Sequence, residues 1–519
     1  MKSFGIFLLT LGLGLGYWVQ AQVLSYPFIG KQFSSTYASG SARMLALGGT
    51  QQAIGADISS IAGNAAGLGY YNRSEINITG GFGVTSVGSN YIGMETSRTE
   101  SQFGLTGFGI VLAGEDWRDS DWKGNLGISY SKQLMFNQSF SVVGLNNVSS
   151  LLDKYIQTVN KNGETGTSLD NQYDYNSNTA LSQEALAYQS YLINPDAKTG
   201  GAPFSRFEPS LPTQQAGYSS AEGFQSQWDF SYGLGYRQKF YVGAGLHFTK
   251  IQSTLTSTWD ETFVGARYVS GFSFDEKLLT AGTGYSLSLG MIYKLNNQLR
   301  AGFNFQTPTY YSQVNEQLTG GMNARAIAIP SYDSNGNPIN ISKVGRVNLA
   351  TNEFTYQLTT PMKIGGGLAY FFGKKGFLTL DAEMIDYSKI SVSSEELSSS
   401  ANQQFKDKYN STSQKYFQAD LNLKLGAEIR LSPHVSARAG IATFGSGYQK
   451  TFDAIDRSVL QLSGGFGYKS DTFYVDFSVV NRSQKDAYTP YTLDNASKFA
   501  SSTLVLKNTT VSLTGGIYF

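Results

Sequence analysis

Along positions 421–431 every odd residue is apolar (Leu421, Leu423, Leu425, Ala427, Ile429, Leu431) and every even one is polar or Gly (Asn422, Lys424, Gly426, Glu428, Arg430). Successive side chains of a strand point to opposite faces, so this pattern predicts a strand with one apolar and one polar face. The same dyad continues over 435–441, beyond the tight turn Ser432-Pro433-His434, and recurs over 473–479, 378–382 and 299–305. Candidate strands begin near Glu75, Phe103, Asn125, Gln225, Tyr241, Tyr268, Tyr285, Leu299, Lys363, Phe377, Asp420, Val435, Leu460, Phe473 and Val505. That is one more than fourteen, and a barrel that starts and ends on one side needs an even count, so one candidate is a loop hairpin or half of a long bent strand.

A soluble sandwich would alternate in the same way, and the connections separate the two. Short turns at 295–297, 373–376 and 469–471 alternate with long polar insertions at 146–222, 315–353 and 391–415. Short turns on one side and long loops on the other mark a transmembrane antiparallel β-barrel, all-β and of about 14 strands. Closure removes the open edges whose unpaired N–H and C=O groups lipid does not tolerate. The insertions are rich in Tyr, Ser and Asn, and 149–159, 182–193 and 395–409 predict short helices over the outer mouth. The final dyads end on Phe519. A terminal Phe resembles the signature by which outer-membrane barrels are recognised, and implies the barrel-assembly machinery as a partner.

Composition and charge narrow the function. With 58 Gly, 33 Tyr and 33 Phe against 15% charged residues, the chain favours aromatic strands over helices. Net charge is +1 without a recurring Lys/Arg cluster, which excludes a nucleic-acid partner. The absence of Cys removes disulfides and thiolate metal sites, and two separated His residues, His247 and His434, disfavour imidazole metal sites and a Ser-His-Asp triad. Asp381 and Glu383 share a strand face, but so do Lys424, Arg430, Arg438 and Arg300, as in a mixed-charge lumen; His247 is read as one more inward polar residue. No catalytic residue, metal or cofactor is expected, and the chain is not read as an enzyme. Asp333-Ser334-Asn335-Gly336-Asn337 is read as an Asn-Gly turn because the downstream Glu of a calcium loop is missing.

Lys2, the apolar run 4–19 and the small residues Val19 and Ala21 predict a cleaved export signal over 1–21. The mature chain then has two parts, a segment at 22–72 and a barrel at 73–519. Residues 22–72 are Gly-rich and too apolar for a solvated tail, which predicts a plug in the lumen, the alternative being a periplasmic lid or linker, with a short helix over 57–62 capped by Asp57 or Ser59.

The run Arg43-Met44-x-x-x-Gly48-Gly49, with Ala53, Asp57, Ser60 and Gly63-Asn64-Ala65-Ala66-Gly67-Leu68, resembles the N-terminal hatch of the FadL/TodX family. These are outer-membrane carriers of long-chain fatty acids and other hydrophobic molecules. The family's Asn-Pro-Ala stands here as Asn64-Ala65-Ala66, without the Pro. The stretch 360–390 resembles the family's late hairpin with its Asp and Asp-Tyr-Ser ending, and the dyads near 425–448 and 462–480 resemble its last hairpins. The resemblance implies a monomer in the Gram-negative outer membrane, with lipids and a hydrophobic small-molecule ligand as partners. It implies passive uptake through an apolar pocket between hatch and wall, with release sideways or past a displaced hatch. Gly48, Gly49, Asn64, Ala65 and Ala66 are the candidate hatch and ligand residues, and Gly104, Gly107 and Gly109 the candidate wall kink. A protein-interaction barrel serving a secretion machine and a general aqueous porin are the alternatives.

Overall fold

The dyads assemble into a closed barrel in the computed structural model, which describes residues 26–114, 121–209, 211–332 and 338–519. The export signal expected at 1–21 and the turn expected at 333–337 lie outside the described residues. The wall begins with β1 (Glu75–Tyr91), β2 (Met94–Ala113), β3 (Trp122–Met135, resuming as Gln138–Asn146), β4 (Thr213–Tyr236), β5 (Phe240–Phe263) and β6 (Val269–Lys294). It continues with β7 (Leu299–Gln306 and Tyr310–Ala326), β8 (Val347–Thr359 and Lys363–Phe371), β9 (Gly376–Asp386) and β10 (Ala419–Arg430). The last four are β11 (Val435–Phe444), β12 (Val459–Lys469), β13 (Phe473–Tyr488) and β14 (Ser502–Tyr518). Each pairs antiparallel with the next, and β14 closes on β1 from Glu75↔Tyr518 to Asn90↔Thr503. The count is fourteen, because the candidates at Tyr268 and Tyr285 are two halves of β6.

The apolar face of each dyad points outward. Leu246 and Phe248 on β5, Tyr285, Leu287 and Leu289 on β6, and Val475, Phe477 and Val479 on β13 are exposed, while His247, Ser286, Ser288, Asp476 and Ser478 between them are buried. Outward positions turn polar at Lys250 on β5, Thr283 on β6 and Asn481 on β13, after about the 9–11 residues a tilted strand needs to cross a bilayer. Tyr293, Tyr370, Phe372, Tyr468 and Phe473 ring the short-turn end of this band, where aromatic rings suit the lipid–water boundary.

Above the band the wall continues into water, so several strands run further than the sequence boundaries suggest. β4 starts at Thr213 inside the expected insertion 146–222, and β7 and β8 extend to Ala326 and back to Val347 inside the expected 315–353. On β4 the dyad fades because the inward positions Thr213, Gln215 and Ser219 are polar like the outward ones. The loop helices α3 (Leu151–Asn162), α5 (Gln183–Gln189) and α6 (Ser399–Tyr416) form near the expected places, and a further short helix, α4 (Gly166–Asp170), forms where none was expected. α3 and α5 fill the outer mouth: Leu151, Leu152, Tyr155 and Leu186 pack on the inward-facing Trp259, Phe272 and Phe274. The buried Glu261 carboxylate holds α3 at its N-terminus, accepting from Leu151 N at 2.8 Å, from Trp259 Nε1 at 2.9 Å and from the Ser150 hydroxyl.

Candidate functional site

Small residues let the segment before β1 pass through the lumen. It contains α1 (Tyr26–Ser34), α2 (Ala42–Ala46) capped by Ser41, and two 3-10 turns, Ile58–Ser60 capped by Asp57 and Ala65–Tyr70 capped by Asn64. From Thr36 onward it is tied to the wall on all sides. Thr36 donates to Glu383, Ala42 N to Thr514, Gly48 N to Ser463, and Gln51 N and Gln52 N both to Asp381. Arg43 lies 3.2 Å from Glu428 and 3.7 Å from Asp57, and Glu428 also meets Arg438, whose second partner is Asp476.

The candidate hatch residues are wall anchors on opposite sides. Gly48 and Gly49 make the left-handed turn after α2 beside β10, β11 and β12. Asn64, Ala65 and Ala66 sit against β5, β6 and β7. Asn64 Nδ2 donates to Gln52 O at 2.8 Å and to Met291 O and Phe303 O of the wall, while its Oδ1 accepts from Ala66 N. Asn64→Ala leaves buried carbonyls unpaired at about 1–3 kcal/mol, and hydrogen exchange of residues 52–70 is expected to speed up accordingly; unchanged exchange would refute the anchoring role.

Neither glycine pair of the hatch nor the Asn64-Ala65-Ala66 run lines the cavity beside it. That cavity, about 110 Å³, is bounded by Thr36, Ser39, Gln51, Gln52 and Ser59 of the hatch and by Gln133, Gln225, Gln227, Asn304, Lys363, Glu383 and Lys424 of the wall. The pocket expected to be apolar is therefore mixed: Ile58, Ala62 and Phe108 line it beside the polar residues, because lumen-facing strand positions are the polar half of each dyad and the hatch turns Ser, Thr and Gln toward them. It is smaller than the roughly 150 Å³ that holds benzene, so passage of a larger molecule requires the hatch to move.

The cavity also touches the outward-facing Phe108 and Tyr130. They flank the place where the wall opens: β2 pairs with β3 only from Ala113↔Asn125 to Gly107↔Ser131, leaving its Met94–Leu105 stretch paired with β1 alone. Beyond that point β3 bulges at Gln133 and its outer half turns inward behind the β1–β2 hairpin, where Ser89 donates to Ser141 O. Of the three candidate kink glycines, Gly107 marks the last paired position and Gly109 admits Ile58 of the hatch. Gly104 lies in the half of β2 without a β3 partner, next to Phe103, which is 85% exposed. Gln133 couples hatch to opening, accepting from Ser39 at 2.9 Å and donating to Ser131 at 2.7 Å.

His247 has partners that sequence spacing hides. Its Nδ1 lies 2.7 Å from Asp229 Oδ1 and its Nε2 2.8 Å from Ser288 Oγ, joining β4, β5 and β6. None of the three lines the cavity, but Ser129 and Gln227, which do, both donate to Asp229, so the arrangement ties neighbouring strands together just behind the cavity wall. Asp381 and Glu383 do point inward, and both receive hatch donors.

α1 lies in the outer half of the lumen, on a bed of aromatic residues. Tyr26 is ringed by Phe354, Tyr356, Phe405 and Tyr409, with ring centroids 4.6–5.6 Å away. Phe28 is ringed by Tyr416, Phe417, Tyr448 and Phe452. Ile29 and Phe33 are fully buried, each worth about 1.5–3 kcal/mol of apolar burial. Nothing in the dull patterning of 22–41 signals this helix; the ring partners of Tyr26 and Phe28 come from β8, α6 with its C-terminal neighbour Phe417, and the β11–β12 loop.

No protein-family model matches the sequence, and no curated protein is similar to it. Among solved structures, a FadL homologue from Pseudomonas aeruginosa superimposes with a TM-score of 0.52 at 10% identity, over 93% of this chain and 99% of that one. The P. putida toluene transporter TodX superimposes with a TM-score of 0.51 at 12% identity, over 93% of this chain and 99% of that one. At such identities the likeness is one of fold. In its fourteen closed strands and its lumenal hatch, this chain has the barrel fold of the FadL homologue and TodX.

Proposed function

We propose that this chain, exported by residues 1–21 to the outer membrane of a Gram-negative cell, is a non-enzymatic carrier for passive uptake of hydrophobic molecules such as long-chain fatty acids. The observation that supports this best is the cavity that runs from hatch residues to the lipid-facing Phe108 and Tyr130, at the point where the β2–β3 ladder stops. A molecule there leaves sideways into lipid without crossing the periplasmic end. Desolvation drives loading, at about 0.8 kcal/mol per buried CH₂. Lys363 and Lys424 in the polar cavity suit an acidic head group, while the apolar part faces the opening. Gly48, Gly49, Asn64, Ala65 and Ala66 serve by seating the hatch, and Gly104, Gly107 and Gly109 by letting the wall part. The solved relatives of this fold include a toluene transporter, which agrees with a hydrophobic cargo.

The general-porin reading requires an open lumen, whereas here hatch and outer loops fill it at two levels. The test is uptake of labelled oleate and toluene by cells with and without the chain. Saturable uptake that depends on the chain is expected; equal uptake in both would refute the carrier reading, and a nanosiemens-scale open conductance in planar bilayers would favour the porin.

A further inference from the structure

The two ends of the lipid band differ in charge. At the outer boundary the exposed Lys250 of β5 and Lys277 of β6 share a stretch of wall with the exposed Glu222 of β4 and Glu353 of β8, so the charges balance. At the short-turn end they do not. From the β4–β5 turn round to the residues before β1, Arg73, Lys239, Lys374, Lys375, Arg430 and Lys469 are all exposed, and Asp471 is the one exposed acidic side chain among the described residues of that arc. Glu428 and Asp476 are buried there and held by Arg43 and Arg438, and Glu75 is buried and held by Tyr474. Among the described residues none of the six cations has an ion-pair partner, whereas the nearby Arg237 is taken by Asp121 at 2.6 Å.

Cations scattered one or two to a strand end are no cluster in the sequence, and strand register gathers them. Arg430 N donates to Lys375 O and Lys469 N to His434 O, both at 2.8 Å, which fixes neighbouring turns side by side. Tyr518 holds two of the cations, with the Arg73 guanidinium 3.8 Å and the Lys469 ammonium 5.0 Å from its ring centroid. Lys239 lies 5.6 Å from the ring of Tyr293. Like charges held this close and left unpaired attract an anion more strongly than any one of them alone.

Placement identifies the anion. The cations stand at the end of the wall ringed by Tyr293, Tyr370, Phe372, Tyr468 and Phe473, which marks the lipid–water boundary. They are also spread around the barrel, from the β4–β5 turn to the start of β1. A protein partner would need them on one contiguous face, whereas a leaflet of headgroups meets every one. We infer that this rim binds the phosphates of anionic phospholipids in the leaflet at the short-turn end, and so gathers acidic lipids around the barrel. The rim acts on lipid and not on cargo, so the inference stands or falls independently of the carrier reading.

The test uses the full chain in mixed bilayers of phosphatidylcholine and phosphatidylglycerol, with spin-labelled forms of each lipid reporting those slowed at the protein surface. At low salt phosphatidylglycerol is expected to be enriched there about threefold over phosphatidylcholine, and at 1 M salt, where the screening length falls to about 3 Å, the two are expected to be about equal. Two double variants remove the same charge from opposite ends. Lys374→Gln/Lys375→Gln is expected to remove about a third of the enrichment, and Lys250→Gln/Lys277→Gln to leave it in place. Neutralising all six rim cations to Gln, in a barrel checked for folding by its heat-modifiable migration, is expected to abolish it. No enrichment by the parent chain at low salt, or equal losses from the two double variants, would overturn the proposal. Binding of hexaglutamate from solution without any phosphatidylglycerol enrichment would assign the rim to an acidic protein and overturn it as well.

Discussion

Arg43→Ala is expected to unlatch the hatch. Its guanidinium lies between Glu428 of β10 and Asp57 of the hatch, and a second cation, Arg438, is already shared between Glu428 and Asp476. Removing Arg43 leaves three carboxylates and one guanidinium in a largely buried cluster. Breaking one partner out of a buried ion pair costs roughly 3–5 kcal/mol. At about 1.4 kcal/mol per tenfold, local opening rises by some two to three orders of magnitude. Hydrogen exchange over α2 and the following turn measures this directly, and rates within a factor of three of the parent would sink the idea. Arg43→Lys keeps the charge without the fork that reaches both acids, so an intermediate effect is expected.

A larger change follows from giving the wall a side chain where the hatch backbone touches it. A Cβ on Gly302 would overlap the Gln52 carbonyl, and one on Gly440 would overlap the Gly48 amide nitrogen. Both collisions are with main chain, which no rotamer change relieves. Gly302→Val and Gly440→Val are each expected to leave the barrel folded, migrating as a compact band until heated, while the hatch is excluded and trypsin cuts after Arg43. Gly515→Ala is the control, since a Cβ there meets nothing within 4 Å, and it should stay uncut. A protected Arg43 in both valine variants would show that the hatch seats without these contacts.

How much of this was readable depended on where contrast exists. Inside the lipid band the dyads of β10, β11 and β13 place every residue on the correct face. Outside it, Thr213–Glu222 of β4 faces water on one side and turns Thr213, Gln215 and Ser219 inward on the other, so alternation vanishes and it resembles a loop. The hatch motif was visible in its small residues and in Asn64. The cavity was not, because Gln133, Gln225 and Asn304 are ordinary lumen residues until register brings them together. His247 lay within sight, but Asp229 and Ser288 become its partners only through the ladders β4–β5 and β5–β6. α1 was hidden for a different reason: its partners are rings from three separate loops and strands, and no local periodicity announces a helix that is buried on most of its surface.

The ladder from Glu75↔Tyr518 to Asn90↔Thr503 has a consequence for biogenesis. β1 is available early, yet its second neighbour is the last strand to be delivered. Until then a growing curved sheet has two raw margins, each a row of unsatisfied amides and carbonyls that would cost several kcal/mol apiece in hydrocarbon. Drawing two distant ends together is comparatively cheap, because the entropic penalty grows only with the logarithm of the intervening length. The obstacle to insertion is thus the exposure of those margins rather than their separation. Any insertase for this chain has to lend one or both of them a temporary strand until Glu75 and Tyr518 meet.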